Sequence, residues 1–290
     1  MKIQSALKWL IPLIGILALF AVSMGLFYRT PGQPYALTSF RGENVTINGH
    51  GLYYYDTVST AAMTQGNDFI TLLVGLPLLA VSTWLALRDS LRGRLLLTGT
   101  LGFFLYTYMS MSMLAAYNSL FLVYVALFGL SLYAFILSMM SIDVDSLPQH
   151  FSARLPRGWI AGLLIAIASF LFLAWMGRIV PPLLQNRIPA LENTTTLVIQ
   201  AMDLVLIIPL ATLSGALLLR RSPWGYLLAS VAVMKGLTMS LAVSAMAINM
   251  NLRGVPDSPM ILVPFLILTL LTLVIAVLLL KNVDGRRIEG

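Results

Sequence analysis

PLLAVSTWLALRDSLRGRLLLTGT, residues 77–100, returns 132 residues later as PLATLSGALLLRRSPWGYLLASVA, residues 209–232. Pro77 falls on Pro209, Ser82 on Ser214, Arg88 on Arg220, Ser90 on Ser222 and Gly93 on Gly225. A second register, shifted by 150, sets Trp9 on Trp159, Phe20 on Phe170 and Pro31 on Pro181. Apolar matches are cheap in so apolar a chain, so the Pro, Arg, Gly and Trp coincidences carry the weight. Repetition at a fixed spacing constrains architecture before any single element does. Here it predicts two similar membrane units in tandem, a common transporter plan.

Composition fixes the class. The chain of 290 residues is 59% hydrophobic and 10% charged, with a mean hydropathy of +0.89. A soluble domain carries about 25% charged residues. A span needs roughly 20 apolar residues, and eight are read at about 7–27, 68–88, 95–115, 118–140, 158–179, 197–219, 226–247 and 259–280. The expected fold is therefore all-α, eight transmembrane helices in two four-helix repeats, residues 1–140 and 158–290. A cytoplasmic linker, 141–157, joins them. Residues 28–67 form a small extracytoplasmic cap. The first apolar run is too long for a typical signal-peptide core of about 7–15 residues, and it is read as a retained span.

Charge placement gives orientation. Twelve of the 18 Lys and Arg fall on one face: Lys2, Lys8, Arg88, Arg92, Arg94, Arg154, Arg157, Arg220, Arg221, Lys281, Arg286 and Arg287. Arg29, Arg41, Arg178, Arg187 and Arg253 fall on the other, and Lys235 lies inside a span. The positive-inside rule then puts both termini in the cytoplasm. The excess of +7 reads as topology rather than nucleic-acid binding. With four spans per unit the halves share one orientation.

Two formal charges lie well inside the spans, Asp203 and Lys235. A charge at the bilayer centre costs at least ~2.5–3.5 kcal/mol on insertion scales, so such residues mark function or a buried ion pair. Their depths differ by roughly 6 Å at 1.5 Å per residue. The Cβ tilt moves them further apart, so a water or third group is expected between them. At the shift of 132 they face Thr71 and Phe103, so the charges belong to one copy only. Gln200 and Thr238 stand three residues from each. Tyr106 and Tyr108 add hydroxyls at mid-depth on different faces. Gly236, Ser240 and Ser244 make a small-residue stripe suited to close helix packing. Pro77 and Pro209 break two spans at matched places, the sequence feature that points best to a transport site.

In the cap, Asn48-Gly49 within GENVTINGHGLYYYDT is a hairpin signal, and Asp56 is placed to cap a following helix. Asp143, Asp145 and His150 in the 141–157 segment are read as solvated, with no metal site. Cysteine is absent and the two histidines are in loops, which removes thiolate, haem and histidine-dyad chemistry. No P-loop or dinucleotide fingerprint appears. No catalytic residue and no cofactor is assigned, and the balance leans away from an enzyme.

The runs DLVLIIPLATLSGALLLRRSPWGYLLASVAVMKG, GLYYYDT and LRGRLLLTGTLGFFLYTYMSMSMLAAYN resemble a group of uncharacterised bacterial polytopic membrane proteins, from about residue 50 onward. The resemblance implies a bacterial inner membrane and lends no functional residue. Together these features point to a protein that binds or moves a small solute or lipid where the two repeats meet. The alternative is a non-catalytic accessory or scaffold protein that docks a membrane or extracytoplasmic partner through residues 28–67.

Overall fold

The computed structural model describes residues 2–256 and 258–284. Arg286 and Arg287, counted above to the basic face, lie outside the described residues. The fold is helical, with one small hairpin. Helix α1 (Lys2–Phe27) is followed by β1 (Tyr35–Thr38), β2 (Asn44–Ile47) and α2 (Val58–Ile70). A π turn (Thr71–Gly75) joins α2 to α3 (Leu76–Leu87). Then come α4 (Leu91–Leu114), α5 (Phe121–Met140), the short α6 (Leu147–His150) and α7 (Arg157–Leu184). The chain continues through α8 (Val198–Met202), a second π turn (Asp203–Ile207), α9 (Ile208–Leu219), α10 (Pro223–Leu252) and α11 (Ser258–Lys281).

Among the described residues, seven helices are long and apolar enough to cross a membrane: Ser5–Phe27, Val58–Leu87, Phe121–Met140, Arg157–Leu184, Val198–Leu219, Pro223–Leu252 and Leu262–Lys281. The chain thus has the make-up of an all-α, multi-pass membrane protein. Helix α4 is outside that set because Thr, Gly, Ser and Tyr interrupt its apolar residues. Its packing explains the composition. Leu91, Leu95 and Leu96 belong to one apolar core, and Leu97, Leu101, Phe103 and Phe104 to the other. A helix enclosed by protein on most faces needs less apolar surface than one facing lipid.

Close approach sets the centre of the bundle. A Cβ on Gly99 of α4 would stand 2.4 Å from Met234 Cβ of α10. One on Gly66 of α2 would stand 2.7 Å from the backbone of Met246, also on α10. Glycine at these points lets the backbones touch, the usual device of helix packing in lipid. The stripe of Gly236, Ser240 and Ser244 faces α11, where Ser240 and Ser244 meet Thr272 and Thr269 at 3.3 and 3.4 Å.

Local geometry recurs 132 residues apart. Both π turns occupy matched positions, and Pro77 and Pro209 each follow in the first turn of the next helix. Proline has no N–H to give and its ring collides with the carbonyl four residues back; a wider turn relieves both. The predicted breaks therefore take the form of π turns. Asp89 and Arg221 both take φ of 56°. Ser90 and Ser222 then stand at the N-caps of α4 and α10. Gly93 packs on the backbone of Leu85, and Gly225 on that of Leu217.

The cap differs from expectation in three places. The hairpin pairs Tyr35 with Ile47 through Thr38 with Asn44, and its turn is Ser39–Glu43 rather than Asn48-Gly49. Asn48 is buried, and its side-chain amide donates to the carbonyls of His50 and Tyr53. Thr57, not Asp56, caps α2, accepting from the Thr60 N–H. The helix expected after Asp56 is present from Val58, but it is not a separate short helix: it runs on through the π turn into the span expected from residue 68, and this part packs on α10.

In the segment 141–157 Asp143 and Asp145 are exposed, as expected of a solvated linker, but its apolar residues pack. Leu147 and Phe151 are buried, Phe151 bridges to Val283, and Ser152 N–H donates to Asn282 at 2.8 Å. Arg92 adds two bonds to the Val283 carbonyl, at 2.9 and 2.6 Å.

Candidate functional site

Asp203 opens the second π turn, where α8 meets α9, and is buried. Both its oxygens are taken. Tyr106 Oη, from α4, donates to Oδ1 at 2.6 Å. Trp175 Nε1, from α7, donates to Oδ2 at 3.0 Å. Lys235, from α10, does not reach the carboxylate: among the described residues the one ion pair is Arg94 with Asp89. Its Nζ instead sits 3.8 Å from the centre of the Tyr106 ring. Asp203 and Lys235 are thus linked by a chain, Asp203 to Tyr106 hydroxyl, then Tyr106 ring to Lys235. The phenol is the third group that the depth mismatch required.

Lys235 is buried, and among the described residues its ammonium makes no hydrogen bond. An ammonium carries three donors and no acceptor. The ring face offers about 2 kcal/mol at best when desolvated. Its three N–H groups meet no protein oxygen among the described residues, and Nζ keeps some accessible surface through which a water or ligand oxygen can reach it. The site contains a held carboxylate and an unsatisfied cation, bridged by one aromatic.

The other predicted residues divide. Gln200 is buried one turn before Asp203. Thr238 is spent on its own helix, donating to the Met234 and Lys235 carbonyls at 3.1 and 3.0 Å. Tyr108 faces away, as its spacing requires. It stacks on Tyr124 at 6.4 Å, and both hydroxyls are buried without a hydrogen-bond partner among the described residues. Pro77 and Pro209 shape the π turns and stand apart from the charged centre. Asp143, Asp145 and His150 form no metal-holding group, and none occurs among the described residues.

Sequence reading missed a second buried carboxylate. Asp68 lies inside α2 and takes a 2.5 Å bond from Tyr53 Oη. Burial, with the Asp68 carboxyl beside it, pushes the Tyr53 phenol well above its usual range, so it remains a donor. Gly25 of α1 makes room for the pair: a Cβ there would be 2.0 Å from Asp68 Oδ2. Trp175 was also missed, yet the shift of 150 places it opposite Gly25. Each carboxylate is held by an aromatic donor beside that matched position.

Above this centre the cap spans both halves. Arg41 donates to the carbonyls of Thr194 and Thr195, each at 2.9 Å. Thr57 donates to Glu192 at 2.6 Å, and Leu191 N–H to Glu43 at 3.3 Å. Arg253 holds Asn48 at 3.1 Å and also Gln65. Beneath these bonds lies a cavity of roughly 160 Å³, walled by Asp56, Thr60, Met113, Asn193 and Val198 among others. Met113 is seven residues from Tyr106 on α4, about 10 Å along the axis.

Asp56 is 4% exposed. Burial pushes its carboxyl from 3.8 up to about 7, against a smaller opposing effect of the Ala116 N–H that it accepts. A carboxyl raised on folding contributes stability that is complete below the unfolded value and lost as pH rises through the folded one. The melting temperature of the wild type is therefore expected to fall between about pH 4 and pH 7 relative to that of Asp56→Asn. Parallel pH profiles for the two proteins would contradict this.

No protein-family model, no curated protein and no solved structure matches the chain.

Proposed function

We propose that the chain is a bacterial inner-membrane protein of eight spans in two tandem four-helix units, with both termini cytoplasmic. In this reading it binds, and moves, a small solute or lipid between the units. The observation that carries it is the Lys235 ammonium, which no side chain among the described residues accepts from, near the Asp203 carboxylate held by Tyr106 and Trp175, at a meeting point of α4, α8 and α10. Ordinary folding has no use for a buried cation without an acceptor. A ligand oxygen supplies what the protein does not. The cavity under the cap, two helical turns above, gives such a ligand a way in, and the π turns at Pro77 and Pro209 are the points where spans can flex. The geometry repeated at a spacing of 132 supports two units. The enclosed position of α4 supports counting it as the eighth span. Copurification of a ligand that depends on Lys235 is the test of the function.

The span count is tested separately. The chain has no cysteine, so a single introduced thiol is labelled without background. If α4 crosses the membrane, Ser119→Cys reacts with an impermeant maleimide in intact cells and Arg88→Cys reacts only after permeabilisation. Labelling of both from one side would remove α4 from the spans and place the termini on opposite faces.

The accessory-protein reading has one favourable observation. Phe40, at the hairpin turn, and Tyr55 are 75% and 61% exposed. The bonds from Arg41, Glu43 and Thr57 to residues 191–195 favour a clamp between the halves as the main role of the cap.

A further inference from the structure

The cavity under the cap contains a feature that the Lys235 centre does not use. Asp56 has one oxygen, Oδ1, bonded to Ala116 N–H at 2.9 Å. The other, Oδ2, is buried with no hydrogen-bond partner. Among the described residues no basic side chain pairs with it, and Arg41 donates to the Thr194 and Thr195 carbonyls. A buried carboxylate oxygen left bare is costly. Here the bare oxygen belongs to a residue lining an open space of roughly 160 Å³.

The walls decide the ligand class. They combine the carboxylate and the Thr60 hydroxyl with the aliphatic surfaces of Met113, Leu114 and Val198. A bare metal ion would want several oxygen or nitrogen ligands, and no metal-holding cluster of acidic, histidine or cysteine side chains occurs among the described residues. An alkylammonium presents N–H groups to the carboxylate and CH₂ groups to the aliphatic side. We propose that the Asp56 cavity is a binding site for a small organic ammonium group, either a free amine or the ethanolamine end of a lipid. The site is independent of Lys235: it sits nearer the cap face and takes the opposite charge. Its occupant bridges the two halves, since Asp56 and Thr60 come from one and Asn193 and Val198 from the other.

The test is calorimetric titration of ethanolammonium chloride into the full chain in phosphatidylcholine nanodiscs. Wild type is expected to show saturable binding. Asp56→Asn keeps the acceptor for Ala116 and removes the charge, and is expected to bind at least tenfold more weakly. Val198→Phe narrows the cavity from the opposite wall, leaves the carboxylate alone, and is expected to lose binding similarly, which covers a failure of Asp56→Asn to fold. Phe40→Ala, at the exposed hairpin turn, is expected to bind as wild type does. Weaker apparent binding in phosphatidylethanolamine nanodiscs would support the lipid headgroup as the source, and unchanged binding a free amine. No saturable heat in wild type, or equal affinity in wild type and both cavity variants, would overturn the proposal. Equal loss on Phe40→Ala would overturn it too.

Discussion

Asp203→Ala is expected to destabilise the protein by about 2–4 kcal/mol. The substitution strips an acceptor from two donors at once, Tyr106 Oη and Trp175 Nε1. It also removes the carboxylate nearest in effect to Lys235, leaving a buried cation with only a ring face. Thermal melting in detergent measures the loss. Tyr106→Phe alone is expected to cost less, about 1 kcal/mol, because it deletes one bond and keeps the ring under Lys235. Added to Asp203→Ala, Tyr106→Phe should cost nothing further, since the bond is already gone, and Lys235→Met should restore part of the loss. Such non-additivity is the signature of a coupled network. Additive losses across the set would mean that the three residues act separately.

Much of this architecture is legible in the sequence, for physical reasons that differ by residue. Pro77 and Pro209 announce themselves because proline must disturb a helix wherever it falls. Ser90, Gly93, Ser222 and Gly225 are readable because a tight helical turn needs a cap and a close contact at fixed positions. Asp203 and Lys235 stand out because charge inside an apolar run is expensive. Their partners are harder to see. Tyr106 was recognisable as a mid-depth hydroxyl, but only the crossing of α4 over α8 and α10 makes it the bridge. Trp175 reads as one more apolar residue until its register with Gly25 is noticed.

Asp68 escapes for a different reason. Gln65, Asn67 and Asp68 lower the local hydropathy, so a span read from apolar content begins only at residue 68 and leaves Asp68 at its edge. The helix begins at Val58 all the same, because this stretch is enclosed by α10 and the cap and has its polar needs met there. Asn249 Nδ2, for example, donates to the Ala62 carbonyl at 2.7 Å. Hydropathy reports suitability for lipid, and α2 and α4 are largely covered by other helices of the protein. The hairpin shows the same limit at short range. Asn48-Gly49 is a strong turn pair, but the Asn48 side chain is committed to His50 and Tyr53. The turn falls instead at Gly42, whose φ of 84° suits glycine.

The second large effect concerns the ligand, and it is also the most direct test of the central claim. Lys235 is the group left without an oxygen, so replacing it removes the reason for a ligand to stay. Native mass spectrometry of the protein released from lipid nanodiscs, wild type beside Lys235→Met, reads this in one experiment. Wild type is predicted to retain a defined small molecule or lipid with an oxygen acceptor, and Lys235→Met to lose it while remaining folded. Spectra without any retained molecule in both proteins, or with the same molecule in both, would contradict a binding site at Lys235 and leave the Asp203–Tyr106–Lys235 chain as internal structure.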